Sequence, residues 1–200
     1  MSPPSEDSSS PLTQPGLQPE YTPQERQFLL QIAHEAILSV LEGCEVSSFT
    51  RAPHLAEPRG VFATLYSNGK LRGCVGFPTA VAPLYQAVMD ASRAAAFDDP
   101  RFVPLRLAEA RQVQVSLSVL SPLRTISTEA VEVGRHGLVI SEGPRRGLLL
   151  PQVPVEHGWD RITFLEQTCL KAGLSRDAWR EGAKIQAFTA EVFGDRDCSV

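Results

Sequence analysis

The sequence predicts an α+β fold with a mainly antiparallel sheet and flanking helices. Residues 111–120 alternate strictly between apolar and polar side chains, which is typical of a half-exposed antiparallel strand. Asn68-Gly69 lies between two alternating runs and predicts a two-residue β-hairpin turn. Strands and helices then follow one another without a regular βαβ rhythm, which favours an α+β class over a parallel sheet.

The predicted domain covers residues 21–194. Residues 1–20 contain five Ser, five Pro and no aromatic residue, so we expect a disordered N-terminal segment. The first helix begins where Thr22 can cap it and Glu25 completes a capping box, and it ends at Gly43. Residues 195–200 form a polar C-terminal tail.

The remaining elements follow from periodicity and from turn residues. A second helix follows Pro83 and ends before Asp98, because Asp99 precedes a proline and resists the helical conformation. A third helix begins near Asp160, which is its predicted N-cap, and ends at Gly173. Strands are predicted at 60–67, 70–76, 111–120, 124–133, 138–140, 147–150 and 184–193.

Composition limits the classes of function. The net charge is −4, so no overall field attracts nucleic acid, and we expect no strong nucleic-acid binding. The four cysteines are scattered, which is typical of reduced thiols in a cytoplasmic protein. With no secretory signal and no run of 18 apolar residues, we expect a soluble protein without a membrane partner.

The hairpin contains the first candidate site. The predicted register pairs Leu65 with Arg72 and Ala63 with Cys74, so Arg72 and Cys74 share one face. Cys74 is then either a nucleophile or covalent carrier whose thiolate Arg72 stabilises, or a small buried hydrophobe. In the second case the glycines at 73 and 76 only relieve crowding, and a bulge at Gly73 would separate Arg72 from Cys74.

Further candidates are a histidine and a carboxylate. His136 lies between Gly134 and Gly137 and is either a base or a turn residue bonded to the backbone. Glu156 and His157 are adjacent, so only one of them is expected to face a groove. No nucleotide-binding motif is present and no cysteine or histidine pair has metal-ligand spacing, so no metal site or cofactor-binding residue is predicted and the cofactor stays unknown.

Leu71-Arg72-Gly73-Cys74-Val75-Gly76 resembles the signature hexapeptide of the AMMECR-one family. The resemblance runs from about Thr22 to Phe193, and further matching segments are Asp99–Phe102, Gly134–Leu138, Gly147–Asp160, Phe164–Leu165 and Cys169–Leu174. It implies two closely joined lobes with a groove between them, and it favours Glu156 over His157 as a site residue. Prokaryotic members, called AmmeMemoRadiSam system protein A, are encoded with a Memo-like protein and a radical S-adenosylmethionine enzyme.

The resemblance supplies no established reaction, so two kinds of function stay open. In one, the chain is a cysteine-dependent enzyme or an accessory subunit that acts with those two proteins. Cys74 is then the nucleophile, Arg72 stabilises its thiolate or binds an anion, and His136 and Glu156 handle protons. In the other, the chain is a non-catalytic scaffold that positions a partner protein or RNA.

Overall fold

A computed structural model describes residues 19–46 and 52–197 and confirms the predicted α+β class. Within these ranges the chain forms two four-stranded sheets, and every strand pair is antiparallel. The helices are α1 (Pro23–Glu42), α2 (Leu84–Phe97), α3 (Leu107–Ala110), α4 (Gln152–Glu156) and α5 (Arg161–Lys171). The strands are β1 (Gly60–Ser67), β2 (Lys70–Phe77), β3 (Gln114–Leu120), β4 (Arg124–Thr125), β5 (Gly137–Glu142), β6 (Arg145–Leu149), β7 (Lys184–Phe188) and β8 (Ala190–Gly194).

The first lobe consists of α1, α2 and a sheet with the strand order β2-β1-β3-β8. The predicted capping box is present, because Thr22 Oγ1 accepts from the Glu25 N–H and Glu25 Oε2 accepts from the Thr22 N–H. Gly43 ends α1 in the left-handed conformation, with φ of 67°. Both helices bury their apolar sides against one face of this sheet, which leaves the other face for the site.

The second lobe consists of α5 and a sheet with the strand order β4-β7-β5-β6. Asp160 is the N-cap of α5, as predicted, and accepts from the Thr163 N–H at 2.8 Å. Cys169 is fully buried in the apolar stripe of α5, so it packs in the core.

The two lobes are joined where the chain crosses between the sheets twice, side by side. The predicted single strand 184–193 is wrong, because it divides at Thr189 into β7 of the second sheet and β8 of the first. Ser121 lies in the other crossing, and it exchanges two hydrogen bonds with the backbone of Thr189. Both crossings are therefore fixed to each other, and the lobes form one continuous structure.

The predicted strand 124–133 is also wrong beyond its first residues. Arg124 and Thr125 pair antiparallel with Ala187 and Gln186 of β7, so the residues that follow Thr125 run towards Lys184, the first residue of β7. Beyond Lys184, β7 offers no further residues to pair with, and the chain forms a 3-10 helix over Thr128–Ala130. Tertiary pairing thus limits the strand where local alternation does not.

Some predictions for the termini lie outside the described residues, namely disorder over 1–18 and the tail residues 198–200. Glu20 and Asp195, at the predicted boundaries, both make contacts: the Glu20 N–H donates to Glu191, and Asp195 accepts from the Val115 N–H. None of the described helices combines the length and the apolar character that crossing a membrane requires.

Candidate functional site

The hairpin has the predicted turn but a different register. Asn68 and Gly69 both have positive φ, 50° and 75°, as a two-residue hairpin loop requires. The register then shifts by one residue, so that Gly73 pairs with Leu65 and Cys74 pairs with Thr64. The predicted Leu65–Arg72 and Ala63–Cys74 pairs are therefore wrong. The cause is a β-bulge in which Arg72 is the additional residue.

The bulge directs Arg72 to the segment that follows α2. Its guanidinium donates to both carboxylate oxygens of Glu109, at 2.6 and 3.1 Å, and to the Val103 carbonyl at 2.7 Å. The side chain is 13% exposed and also lies over the Phe102 ring. Arg72 therefore fastens residues 102–109 to β2, and these contacts occupy the group that was predicted to stabilise the Cys74 thiolate.

A different arginine lies at Cys74. The Asp99 carboxylate accepts from the Cys74 N–H at 2.9 Å and from the Arg101 side chain at 2.7 and 3.0 Å. Arg101 also donates to the Cys74 carbonyl at 3.4 Å. The Arg101 bond, assisted by the Cys74 N–H, holds the pKa of the nearly buried Asp99 carboxyl well below its usual range. Asp99 and Arg101 thus hold both backbone groups of Cys74 at the outer edge of the sheet.

The glycines on either side of Cys74 are required by packing. A Cβ on Gly73 would overlap the carbonyl oxygen of Ala95 in α2. A Cβ on Gly76 would overlap the backbone of Val61 and Phe62 in β1. The crowding interpretation therefore accounts for both glycines.

The Cys74 side chain lies on the open face of the first sheet. It is partly exposed and belongs to none of the apolar clusters in the described part of the chain. Its sulfur accepts a hydrogen bond from Thr64 Oγ1 at 3.4 Å. A hydroxyl that donates to sulfur stabilises negative charge on it. Cys74 is therefore partly accessible from this face, with a hydroxyl donor at its sulfur.

Tyr66 is the next residue of β1 on the same face. Its phenol has a raised pKa, chiefly because it is partly buried and secondarily because of Cys74, while Arg196 acts in the opposite direction and Glu156 in the same one. The charges of Cys74 on β2 and of Glu156 at the end of α4 therefore both act on the Tyr66 phenol. Tyr66 is thus the residue through which Cys74 and Glu156 are both connected to this part of β1.

Glu156 is exposed at the end of α4. The adjacent His157 stacks on the Trp159 ring with centroids 4.7 Å apart, which gives that imidazole a structural partner. Of the two neighbours, Glu156 is the one with an electrostatic effect on the open face, through Tyr66.

His136 is held within its own turn. Nδ1 accepts from the Glu132 N–H at 3.1 Å, and the His136 N–H donates to the Glu132 carbonyl at 3.0 Å. Partial burial lowers the pKa of the imidazole, which favours the neutral form that accepts this bond. Among the residues that the structure describes, no hydrogen bond or ion pair links His136 to Cys74.

Two members of the site were missed by sequence reasoning, Thr64 and Tyr66. They lie two residues apart on β1, so alternation places them on one face, but only the shifted register sets Thr64 opposite Cys74. Arg101 follows Asp99 by two residues and forms an ion pair with it. The described residues contain no group of three side chains suited to hold a metal ion.

Comparisons with known proteins agree over most of the chain. A family model described as AMMECR1 matches residues 30–193. A protein of Methanopyrus kandleri is 43% identical over 188 residues, covering 88% of this chain and 91% of the relative. A protein of Aquifex aeolicus is 39% identical over 183 residues, covering 84% of this chain and 92% of the relative. The crystal structure of an uncharacterized protein from Pyrococcus horikoshii is similar with a TM-score of 0.72 at 42% identity, covering 84% of this chain and 89% of that one.

Proposed function

We propose that this chain, which belongs to the AMMECR1 family, acts through the thiol of Cys74 as a nucleophile or covalent carrier. One observation carries the proposal. The Cys74 sulfur lies outside the apolar clusters of the described residues, on the open face of a sheet, and accepts a hydroxyl hydrogen bond from Thr64. Free cysteine is among the most buried residue types, so a partly exposed thiol with a hydroxyl donor supports a chemical role.

The neighbouring residues have distinct roles in this proposal. Thr64 stabilises the thiolate by donating its hydroxyl hydrogen to sulfur. Asp99 and Arg101 act as positioning residues, because they hold the N–H and the carbonyl of Cys74. We assign the role of proton acceptor to Glu156, at the end of α4. Arg72 and His136 support the segments in which they lie, through their bonds to Glu109 and to Glu132.

The pathway is part of the same proposal. The resemblance to AmmeMemoRadiSam system protein A supports a cytoplasmic modification pathway shared with a Memo-like protein and a radical S-adenosylmethionine enzyme. Co-purification of the three proteins from a host that expresses them together tests this assignment. Recovery of the chain without either protein, at matched expression, would contradict it.

Alkylation of single thiols tests the reactivity of Cys74. In a Cys44→Ser/Cys198→Ser background, Cys74 is the accessible thiol, since Cys169 is fully buried. Iodoacetamide labelling followed by intact mass should be about fivefold faster at Cys74 than at the exposed Cys44 in a reciprocal variant, an order-of-magnitude expectation for an activated thiol. Slower labelling of Cys74 than of Cys44 would rule out the nucleophile.

Two variants separate the hydroxyl effect from a change in the sheet. Thr64→Val removes the donor at nearly constant volume and should slow the labelling of Cys74 about threefold. Ser116→Ala is the control, because Ser116 is the partner of Thr64 on β3 and, within the described residues, makes no hydrogen bond to the Cys74 sulfur. If Cys74→Ser leaves partner capture unchanged while Cys74 labels slowly, the non-catalytic scaffold is the correct assignment.

A further inference from the structure

A groove between the two lobes leaves one strand edge open. It has a volume of about 400 Å³ and runs along β6, with Phe62 and Pro78 of the first lobe on one side and Lys171 of α5 on the other. Phe62 is on the face of β1 that also carries Thr64, the partner of Cys74 on β2. The groove is therefore close to the proposed thiol site but is built from different residues.

β6 is the last strand of the second sheet and pairs only with β5. Within residues 19–46 and 52–197, no hydrogen bond from any other element reaches the backbone of Arg145–Leu149. The edge of β2 differs, because Asp99 and Arg101 bond to the backbone of Cys74 there. An open strand edge presents unpaired N–H and C=O groups that can accept an additional strand.

Two cations lie at the same end of this edge. Arg146 and Lys171 are exposed, and neither has an ion pair or a side-chain hydrogen bond in the part of the chain that the structure describes. The neighbouring Arg145 instead pairs with Glu142. Arg146 shares its face of β6 with Leu148, whereas Lys171 ends the helix that packs on the opposite face. The two charges therefore lie on either side of any strand added to β6.

The rest of the groove is apolar. Leu148, Leu150 and Val153 line it beyond the charged end, and Leu148 and Leu150 are only partly buried by the described residues. Consecutive residues of a strand point to opposite faces. A bound strand with two consecutive acidic residues would place one carboxylate near Arg146 and the next near Lys171, and its following alternate residues would meet the apolar wall.

We infer that β6 binds an extended segment of a partner protein in which two consecutive acidic residues adjoin an alternating apolar run. The segment adds to the sheet as a fifth strand. Main-chain hydrogen bonds to β6 provide affinity, while Arg146, Lys171 and the apolar wall provide specificity. This inference does not depend on the reactivity of Cys74.

Labelled hexapeptides test the inference, one for each strand direction. The probes are acetyl-Asp-Glu-Val-Thr-Val-Thr-amide and acetyl-Thr-Val-Thr-Val-Glu-Asp-amide, measured by fluorescence anisotropy at low salt. One of them should bind with a Kd below about 1 mM, the range of a short edge-strand ligand. Arg146→Glu and Lys171→Glu should each weaken binding about fivefold or more. Arg145→Glu is the matched control, because it makes the same charge change at a paired arginine and should have less than about a twofold effect.

N-methylation of the peptide distinguishes strand addition from charge attraction. Methylating alternate amides should abolish binding at every second position and leave the others unchanged, because only alternate N–H groups of an added strand face β6. The inference would be overturned if neither peptide binds, or if the Arg145, Arg146 and Lys171 variants weaken binding equally. It would also be overturned if N-methylation is tolerated at every position. If octanoate displaces the labelled peptide and N-methylation is tolerated at every position, the groove is instead a site for a small amphipathic anion.

Discussion

Replacement of Asp99 by asparagine tests the anchoring of Cys74 most directly. The Asp99 side chain is 3% exposed and accepts from the Cys74 N–H, the Arg101 N–H and the Arg101 guanidinium. Asparagine keeps one oxygen acceptor of similar shape but loses the charge and faces one of these donors with its own NH₂ group. Asp98 is the matched control, since it is exposed, and Asp98→Asn makes the same chemical change one residue away.

The magnitude follows from the contacts. A hydrogen bond to a charged acceptor contributes about 1.5–3 kcal/mol, and the bond from the part-buried Cys74 N–H belongs to this class. Arg101 is 55% exposed, so its ion pair adds less than about 1 kcal/mol. Because asparagine can still accept one bond, Asp99→Asn should lower the free energy of unfolding by about 2 kcal/mol at pH 7. Asp98→Asn should change it by less than about 0.5 kcal/mol.

The effect has a defined pH dependence. The folded pKa of Asp99 lies below its ordinary value, so its carboxylate stabilises the fold above about pH 4, the usual range of an unfolded aspartate. That contribution is lost as the pH falls towards the folded pKa. The difference between wild type and Asp99→Asn should therefore be constant from pH 8 to 5 and should shrink below pH 4.

Urea unfolding followed by far-UV circular dichroism measures both quantities. Equal midpoints for the Asp99→Asn and Asp98→Asn variants at pH 7 would refute the anchoring argument. A difference between wild type and Asp99→Asn that persists unchanged to pH 2.5 would refute the assignment of the lowered pKa.

Three further predictions concern the same region and its neighbours. In urea unfolding, Gly73→Ala should lower the free energy of unfolding by more than about 3 kcal/mol, because the added Cβ overlaps the Ala95 carbonyl of α2. Gly143→Ala should lower it by about 1 kcal/mol, because Gly143 has a φ of 57° but open space around it. Because burial lowers the pKa of His136, the wild type should lose stability more steeply than His136→Gln as the pH falls through about 6.5, and equal slopes would contradict this. Glu156→Gln should lower the pKa of Tyr66 in an absorbance titration at 295 nm, with Tyr66→Phe identifying the signal, and an unchanged titration would remove Glu156 from the site.

Local signals predicted the ends of elements better than their pairing. The capping box at Thr22, the stop at Gly43 and the turn at Asn68-Gly69 are all as predicted, because each depends on residues within a few positions of one another. Arg72, the additional residue of the bulge, bonds to Glu109, which lies far along the chain. Alternation by itself could not show that this arginine is drawn out of register.

The division of residues 184–194 has the same origin. The run alternates well enough to be one strand, and its interruption at Thr189 is set by the contact with Ser121 in the other crossing. A sequence pattern describes which residues are apolar, but it does not state which of two sheets they cover. The joined lobes implied by family resemblance are present because of these crossings.

The signature hexapeptide combines residues of two different kinds. Arg72 fastens a loop, Gly73 admits a helix carbonyl, and Gly76 admits the neighbouring strand, so the fold explains three of its positions. The side chain of Cys74 serves none of these purposes, although its backbone is held by Asp99 and Arg101. A rigid backbone beneath a partly exposed thiol is what a fixed reactive group requires, whereas simple packing would require only a buried sulfur. Loss of the Asp99 contact should therefore alter the labelling of Cys74 as well as stability, which links the fold of this motif to its proposed chemistry.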